Sequence, residues 1–329
     1  MKILIIGNED RYKKYLPKID IVEQVSMVFC RRGATDEELL QAAPDAAAIA
    51  IDPMAKLTGN VIRQMPNLRI IQSEGVGFNG IDCEIAKECG IFVCNCKGAN
   101  AGAVAEQTVL LMLALLRNLV VGDRTERQGQ QIRMKEQMMV EGITELADCK
   151  VGLIGFGDIA QATANRLKPF ECELFYYSKT RKPIEVEREY GVSYLDRDEI
   201  ARSCDMISLH CPVTPETTGM INREFFSLMK PTAYLINTAR GEIVDNQDLY
   251  DAIVTGKIKG AGLDTVAPEP TTLDNILLNL PEAFADRIIF SPHIGGITTS
   301  YFFRAHKRNW ANIGLALNGH RPACIVNGL

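Results

Sequence analysis

The sequence predicts an α/β protein made of two doubly wound parallel-sheet domains with a cleft between them. Three observations predict it. Short apolar runs alternate with helical patterns almost throughout the chain, a rhythm that implies parallel sheets covered by helices. The series is interrupted by a polar stretch and starts again at Lys150. The length of 329 residues fits two domains, at roughly 150 residues each.

In chain order, "KILIIG", "AAIAID", "LRIIQS" and "IFVCN" read as the strands of the first domain, with "DEELLQAA" and "IDCEIAKECG" as helices between them. Asp82 can cap the second helix and Gly90 can end it. Asn100 to Val121 is apolar nearly all round. It predicts a buried helix, capped by Asn100, that joins two domains or meets a second copy. Gly122 to Ala147 turns polar, with many Gln, Arg and Met residues, and reads as a helical arm over the surface. The second series has strands "KVGLIG", "ELFYYS", "MISLH", "AYLINT", "AGLD" and "RIIFS"; Thr299 to Leu329 reads as one amphipathic helix and a tail. The expected domains are residues 1–99 with 297–329, and residues 100–296.

Composition excludes several classes. Hydrophobic residues make up 47% and charged residues 23%, and the net charge is −5. A mildly acidic chain has no general electrostatic reason to hold nucleic acid or an anionic membrane. The apolar start of "MKILIIGNED" is too short for a signal-peptide core. "TVLLMLALL", Thr108 to Leu116, is well short of the roughly 20 residues that span a bilayer. A soluble cytoplasmic protein is expected. Of ten cysteines, only Cys83, Cys89, Cys94 and Cys96 are dense, without zinc-site spacing or a nearby histidine. Reduced, mostly buried thiols and no metal are expected.

"VGLIGFGDIA" places Gly155, Gly157 and Ala160 directly after a strand and at the opening of a helix. Gly155 permits the tight turn, Gly157 lets a pyrophosphate approach the backbone, and Ala160 packs closely. The helix start, with Phe156, Asp158 and Ile159, offers N–H groups to the anion. A dinucleotide is implied. Ser178 follows Gly157 by 21 residues, where an NAD-binding unit carries an acid for the ribose 2′-hydroxyl. Here Ser178 and Thr180 offer hydroxyls, and Lys179 and Arg181 offer positive charge. That set favours the 2′-phosphate of NADP(H) over NAD(H).

Three stretches follow: "LINTARGEIVD" with Arg240, "GAGLDTVAPEP" with Asp264 and Glu269, and "SPHIGG" with His293. Each follows a predicted strand, so all belong at one sheet edge, where doubly wound folds bind ligands. With "GVGFNGID", "GANAGAVAEQT", "LHCPVTPETTGMIN" and a closing "IVNG", the sequence resembles the D-isomer-specific 2-hydroxyacid dehydrogenases nearly end to end. "YYSKTRK" is similar to their NADPH-using glyoxylate and hydroxypyruvate reductase branch.

The resemblance implies a Rossmann-type dinucleotide domain, a flavodoxin-like substrate domain, and catalysis by Arg240, Glu269 and His293. A planar guanidinium can bind both the carboxylate and the carbonyl of a 2-keto acid. A protonated imidazole can deliver a proton to the carbonyl oxygen, and a carboxylate against it favours the charged ring. The resemblance also implies that Val76 and Gly77 N–H groups hold the substrate carboxylate, with Asn100 nearby. Cys211, Pro212, Thr217, Thr238, Ala239, Asp264, His293 and Gly295 would line the cofactor. A homodimer through the nucleotide-domain helices is expected. His210 is assigned to shaping the adenine-side loop, and His306 and His320 to no role. Ile51 to Pro53, Phe78 and Tyr301 are candidates for the substrate pocket. Gln107, Asn79, Thr265 and Val266 depart from the family's common pattern. The alternatives are an NAD-dependent D-3-phosphoglycerate or D-lactate dehydrogenase, or a non-catalytic NAD(H)-sensing protein like the C-terminal-binding corepressors. The absence of a further C-terminal domain weighs mildly against a serine-regulated phosphoglycerate dehydrogenase.

Overall fold

The computed structural model describes residues 1–329. The chain forms two compact units, Met1–Asn100 with Ile297–Leu329, and Ala101–Gly296.

The first unit holds β1 (Lys2–Ile6), β2 (Ser26–Cys30), β3 (Ala48–Ile51), β4 (Ile70–Ser73) and β5 (Phe92–Cys94). They form one parallel sheet in the order β2-β1-β3-β4-β5, a flavodoxin-like arrangement. Alternate residues of β1 serve opposite faces. Leu4 and Ile6 join a core with Ile49, Ile51 and Val61. Ile3 and Ile5 join another with Trp310 and Ile313 of the last helix, Thr299–Leu317. Burial on both faces explains why β1 and β3 read as continuous apolar runs. β2 is an edge strand with no fully buried residue, and its apolar run Met27–Cys30 is not among the strands expected. Asp82 caps the helix Cys83–Glu88 through its carboxylate, 3.1 Å from the Ile85 nitrogen, and Gly90 follows at φ +69°.

The second unit holds β6 (Lys150–Ile154), β7 (Glu173–Tyr177), β8 (Ser193–Tyr194), β9 (Met206–Leu209), β10 (Tyr234–Asn237), β11 (Gly260–Leu263) and β12 (Ile288–Phe290). Their order is β12-β11-β10-β9-β6-β7-β8, all parallel. The strand order reverses between β6 and β9, the switch point of a doubly wound sheet. Both sheets thus have the predicted class. β8, a two-residue edge pair, is too short to leave a sequence pattern.

The predicted long helix is shorter and differently capped. It runs from Ala101 to Leu116 and stops where Asn118 adopts the left-handed conformation, φ 48°, which asparagine tolerates better than most residues. A second helix, Leu119–Arg127, follows with no buried residue. Asn100 does not cap, since its Oδ1 is buried and meets no donor. The polar stretch forms that helix and Gln131–Glu141, both on the surface. All ten cysteines are free, but only Cys94, Cys96, Cys149 and Cys204 are buried, fewer than expected. No single helix is long and apolar enough to cross a membrane.

Candidate active site

The glycine turn leaves β6 at the switch point. Gly155 has φ +95°, and a Cβ there would stand 2.7 Å from the His210 carbonyl carbon and 2.8 Å from the Cys211 nitrogen. Two turns, one after β6 and one after β9, therefore touch backbone to backbone, which only glycine allows. Gly157 differs: a Cβ on it would meet nothing within 4 Å. The space it leaves opens at the N-terminus of the ten-residue helix Asp158–Leu167, which has no side-chain cap. The first N–H groups of that helix, from Asp158 and Ile159, lack intrahelical acceptors. An open cradle lined by such donors fits a pyrophosphate. The Phe156 side chain is buried, with its ring 4.5 Å from that of Tyr176, so only its backbone is available to a ligand.

The loop after β7 is tied to itself. Ser178 Oγ donates to the Thr180 carbonyl at 2.6 Å. Arg181 makes two bonds to Glu187, Nε to Oε1 at 2.8 Å and Nη2 to Oε2 at 3.1 Å. Its charge is thus paired, although the side chain is 61% exposed; Lys179 is exposed too and takes part in none of the ion pairs. After β9, Thr217 Oγ1 donates to the Pro212 carbonyl at 2.7 Å and accepts from the Thr214 nitrogen at 2.7 Å, closing that loop. Burial pushes the Cys211 thiol up to about 11 and the His210 imidazole down to about 3. His210 is therefore a neutral ring, with Nε2 3.0 Å from Ser208 Oγ, and not a proton carrier near neutral pH.

Arg240, Glu269 and His293 follow β10, β11 and β12, at one edge of one sheet. Asn237 shapes the first turn: its Nδ2 donates to the Arg240 carbonyl at 2.9 Å and its Oδ1 accepts from the Ala239 nitrogen at 3.0 Å. The half-buried guanidinium spends one donor, Nη1, on the Ala239 carbonyl at 2.7 Å, leaving others free. Beside it, Thr238 Oγ1 lies 2.8 Å from Thr108 Oγ1, both residues buried. The Glu269 loop is clamped at Ala267, whose carbonyl accepts Asn246 Nδ2 at 2.6 Å and Asn275 Nδ2 at 3.0 Å.

His293 Nδ1 lies 2.7 Å from Glu269 Oε1. With the carboxylate ionised, Nδ1 carries the hydrogen, and Nε2 is left to exchange a proton with a substrate. The imidazole is partly open, with 36% of its side chain exposed, so a small molecule can reach it. Asp264 has a role that its place in the sequence does not reveal. Its Oδ1 accepts from Ser291 Oγ and, at 3.0 Å, from the Ile294 nitrogen; its Oδ2 accepts from the Gly295 nitrogen at 2.9 Å. Gln107 Nε2 donates to Ser291 Oγ at 3.0 Å. Asp264 thus holds the turn that presents His293, and Gln107, singled out as a departure, braces the same turn.

In the first unit, Ser73 Oγ donates to the Gly77 carbonyl at 2.6 Å, Asn95 Nδ2 to the Val76 carbonyl at 2.8 Å, and the Cys96 nitrogen to the Gly75 carbonyl at 2.8 Å. Three carbonyls are fixed, while the N–H groups of Val76 and Gly77 have no acceptor in the chain. Two free, preset donors suit a carboxylate. Below them Glu74 is buried; it pairs with Arg11, its Oε1 lies 2.7 Å from His306 Nε2, and its carbonyl accepts from Tyr301 Oη at 2.9 Å. Asp52 is also buried and takes Arg11 at 3.2 Å and Arg32 at 3.1 Å. His306, given no role from sequence, is a fully buried support of the Gly75–Gly77 turn. The sequence signal was an acid directly after β4, unread because its partner lies 232 residues away. Of the pocket candidates, Ile51 and Tyr301 are core, 1% and 5% exposed, while Phe78 is half-buried. Thr265 Oγ1 is buried without a partner, and nothing in the structure explains it.

The family described as D-isomer specific 2-hydroxyacid dehydrogenase, NAD binding domain, matches residues 109–295. The chain is 36% identical over 298 residues to a glyoxylate reductase from Thermofilum pendens, covering 88% of this chain and 84% of that one. It is 37% identical over 262 residues to a hydroxypyruvate reductase from Thermotoga maritima, covering 80% and 82%. Among solved structures it is similar to the D-lactate dehydrogenase of Escherichia coli, with a TM-score of 0.83 and 25% identity over 98% of this chain and 99% of that one.

Proposed function

This chain belongs to the D-isomer specific 2-hydroxyacid dehydrogenases, and we propose that it reduces a small 2-keto acid to the D-2-hydroxy acid with NADPH. Glyoxylate or hydroxypyruvate is the first candidate, because the relatives at 36% and 37% identity carry those names. The observation that carries the reading is the 2.7 Å contact between His293 and Glu269, at the same sheet edge as Arg240.

Within the first unit, the N–H groups of Val76 and Gly77, with Asn100, suit a carboxylate. Arg240 binds carboxylate and carbonyl together and stabilises the charge that develops on the carbonyl oxygen. His293 Nε2–H donates a proton to that oxygen, while Glu269 holds Nδ1–H and steadies the ring. In the oxidation direction the neutral ring accepts the proton at Nε2. Bound dinucleotide supplies or receives the hydride. Gly155, Gly157, Asp158 and Ile159 cradle its pyrophosphate; Cys211, Pro212, Thr217, Thr238 and Ala239 line its adenine and ribose side. Asp264 and Gly295 serve it through the turn they fix. Lys179, with Thr180, favours the 2′-phosphate; the Ser178 hydroxyl, expected to join them, spends its one hydrogen on the Thr180 carbonyl.

The protein acts in the cytoplasm as a homodimer. Leu110, Leu119, Val120, Met139 and Val140 are each at least half exposed, and a second copy would cover such apolar side chains. Steady-state assays of the purified protein on glyoxylate, hydroxypyruvate and pyruvate, with NADPH and NADH in parallel, test the whole reading. Turnover on at least one of the acids is expected, with NADPH the better cofactor. No turnover with any combination removes it.

A further inference from the structure

We infer that Glu187 withholds Arg181 from the dinucleotide, so that Lys179 alone supplies the charge that distinguishes NADPH from NADH. The inference rests on the NADPH reading above and divides its basic loop into two parts with different tasks.

The geometry is that of a built lock. Glu187 lies in the helix Ile184–Tyr190 with its side chain only 6% exposed, and Arg181 closes on it with two parallel bonds of 2.8 and 3.1 Å. Tyr176 Oη donates to the same carboxylate at 3.0 Å and accepts from the Lys182 nitrogen at 2.8 Å. The guanidinium also lies 5.5 Å from the centre of the Tyr194 ring. If Arg181 swung out to a phosphate, it would strand a nearly buried carboxylate without its counter-charge, and Tyr176 cannot replace that charge. The Arg181 bond holds the Glu187 carboxyl below the usual range, so the pair stays ionised at neutral pH.

Lys179 sits differently. It lies two residues beyond β7, at the strand end where this fold places the ribose, and, unlike the likewise exposed Arg181, it takes part in no ion pair. It also lies near the other cofactor loop, since the Glu216 carboxyl is held low by the Thr214 hydroxyl, by its own backbone N–H, and by Lys179. Lys182 also stands outside an ion pair, but its backbone is tied to Tyr176 at the start of the next helix. The Glu187 lock thus shapes the loop while Lys179 faces the ligand.

The test measures binding of NADPH and NADH by nicotinamide fluorescence, together with KM for each, in wild type and variants. For K179Q we expect at least a tenfold loss of NADPH affinity, with NADH changed less than threefold. For R181Q the NADPH-to-NADH preference stays within threefold of wild type, and K182Q behaves likewise. E187Q releases Arg181 and tightens NADPH several-fold, and the double variant E187Q/R181Q loses that gain. An R181Q variant that loses NADPH preference as deeply as K179Q overturns the inference, as does E187Q without gain while the protein remains folded. If E187Q does not fold, the comparison of R181Q with K179Q decides alone. A wild type indifferent to the 2′-phosphate refutes the NADPH reading instead, and the gain in E187Q still reports on the lock.

Discussion

Gly241 and Ala267 meet backbone to backbone: a Cβ on the glycine would stand 2.2 Å from the alanine nitrogen and 2.5 Å from the Val266 carbonyl carbon. The turn carrying Arg240 and the loop carrying Glu269 are therefore seated on each other. Gly241→Ala must push them apart. We expect kcat/KM to fall by about 100-fold, since a displacement near 1 Å at a reacting group can cost that much, together with a lower Tm. An alanine variant with wild-type kcat/KM would show that the two segments need no such contact.

His293→Ala removes the proton donor, and kcat should fall by roughly 10²–10⁴. Dinucleotide affinity should change little, because the imidazole contacts Glu269 and not the glycine turn. Glu269→Gln keeps an acceptor for Nδ1–H and deletes only the charge, so its loss should be smaller, about tenfold or more. Steady-state kinetics alongside dinucleotide titration separates the two effects. Full turnover in the alanine variant would take His293 out of the mechanism.

Gly155 and Gly157 should respond oppositely to the same change. Alanine at 155 is strained by its positive φ and collides with the His210–Cys211 backbone, so Gly155→Ala should lose about 1–3 kcal/mol of stability or more. Alanine at 157 meets no protein atom, so Tm should hold while dinucleotide Kd rises. Thermal melts of both variants with and without NADPH check this. A Gly157→Ala protein that binds as tightly as wild type would place the pyrophosphate elsewhere.

His210 should make the fold acid-sensitive. Its folded pKa, pushed by burial to about 3, lies below its ordinary value of 6.5. Below pH 6.5 the unfolded chain therefore binds a proton that the folded chain refuses, and stability is lost as pH falls from 6.5 towards 3. His210→Gln should flatten that slope in urea unfolding midpoints measured across this range. An unchanged slope would mean that His210 is protonated in the folded protein as readily as in the unfolded one.

Asp264→Asn tests the turn rather than the proton. The amide can still accept, but it cannot serve the Ser291 hydroxyl and the Ile294 and Gly295 nitrogens equally. We expect kcat to fall at least tenfold while KM for the keto acid moves less than threefold, as when a donor is misplaced in the transition state alone. A matching fall in Tm with kcat untouched would make Asp264 a purely structural residue.

Strand positions, the glycine turn and the order of Arg240, Glu269 and His293 were legible in the sequence because their causes are local. A strand buried on both faces must be apolar throughout, a tight turn at positive φ needs glycine, and residues that end neighbouring parallel strands share an edge. Commitments between distant side chains were not legible. Arg181 reads as a free cation until the fold sets Glu187 against it; Asp264 and Gln107 become supports of one turn only when β11, β12 and the helix Ala101–Leu116 converge; His306 finds Glu74 across most of the chain. β8 and the break at Asn118 were hidden for a related reason, since very short segments impose little pattern on composition, whereas the apolar run of β2, Met27–Cys30, was there to be read. Hydrogen bonds and ion pairs depend on distances near 3 Å, which packing decides and sequence spacing does not.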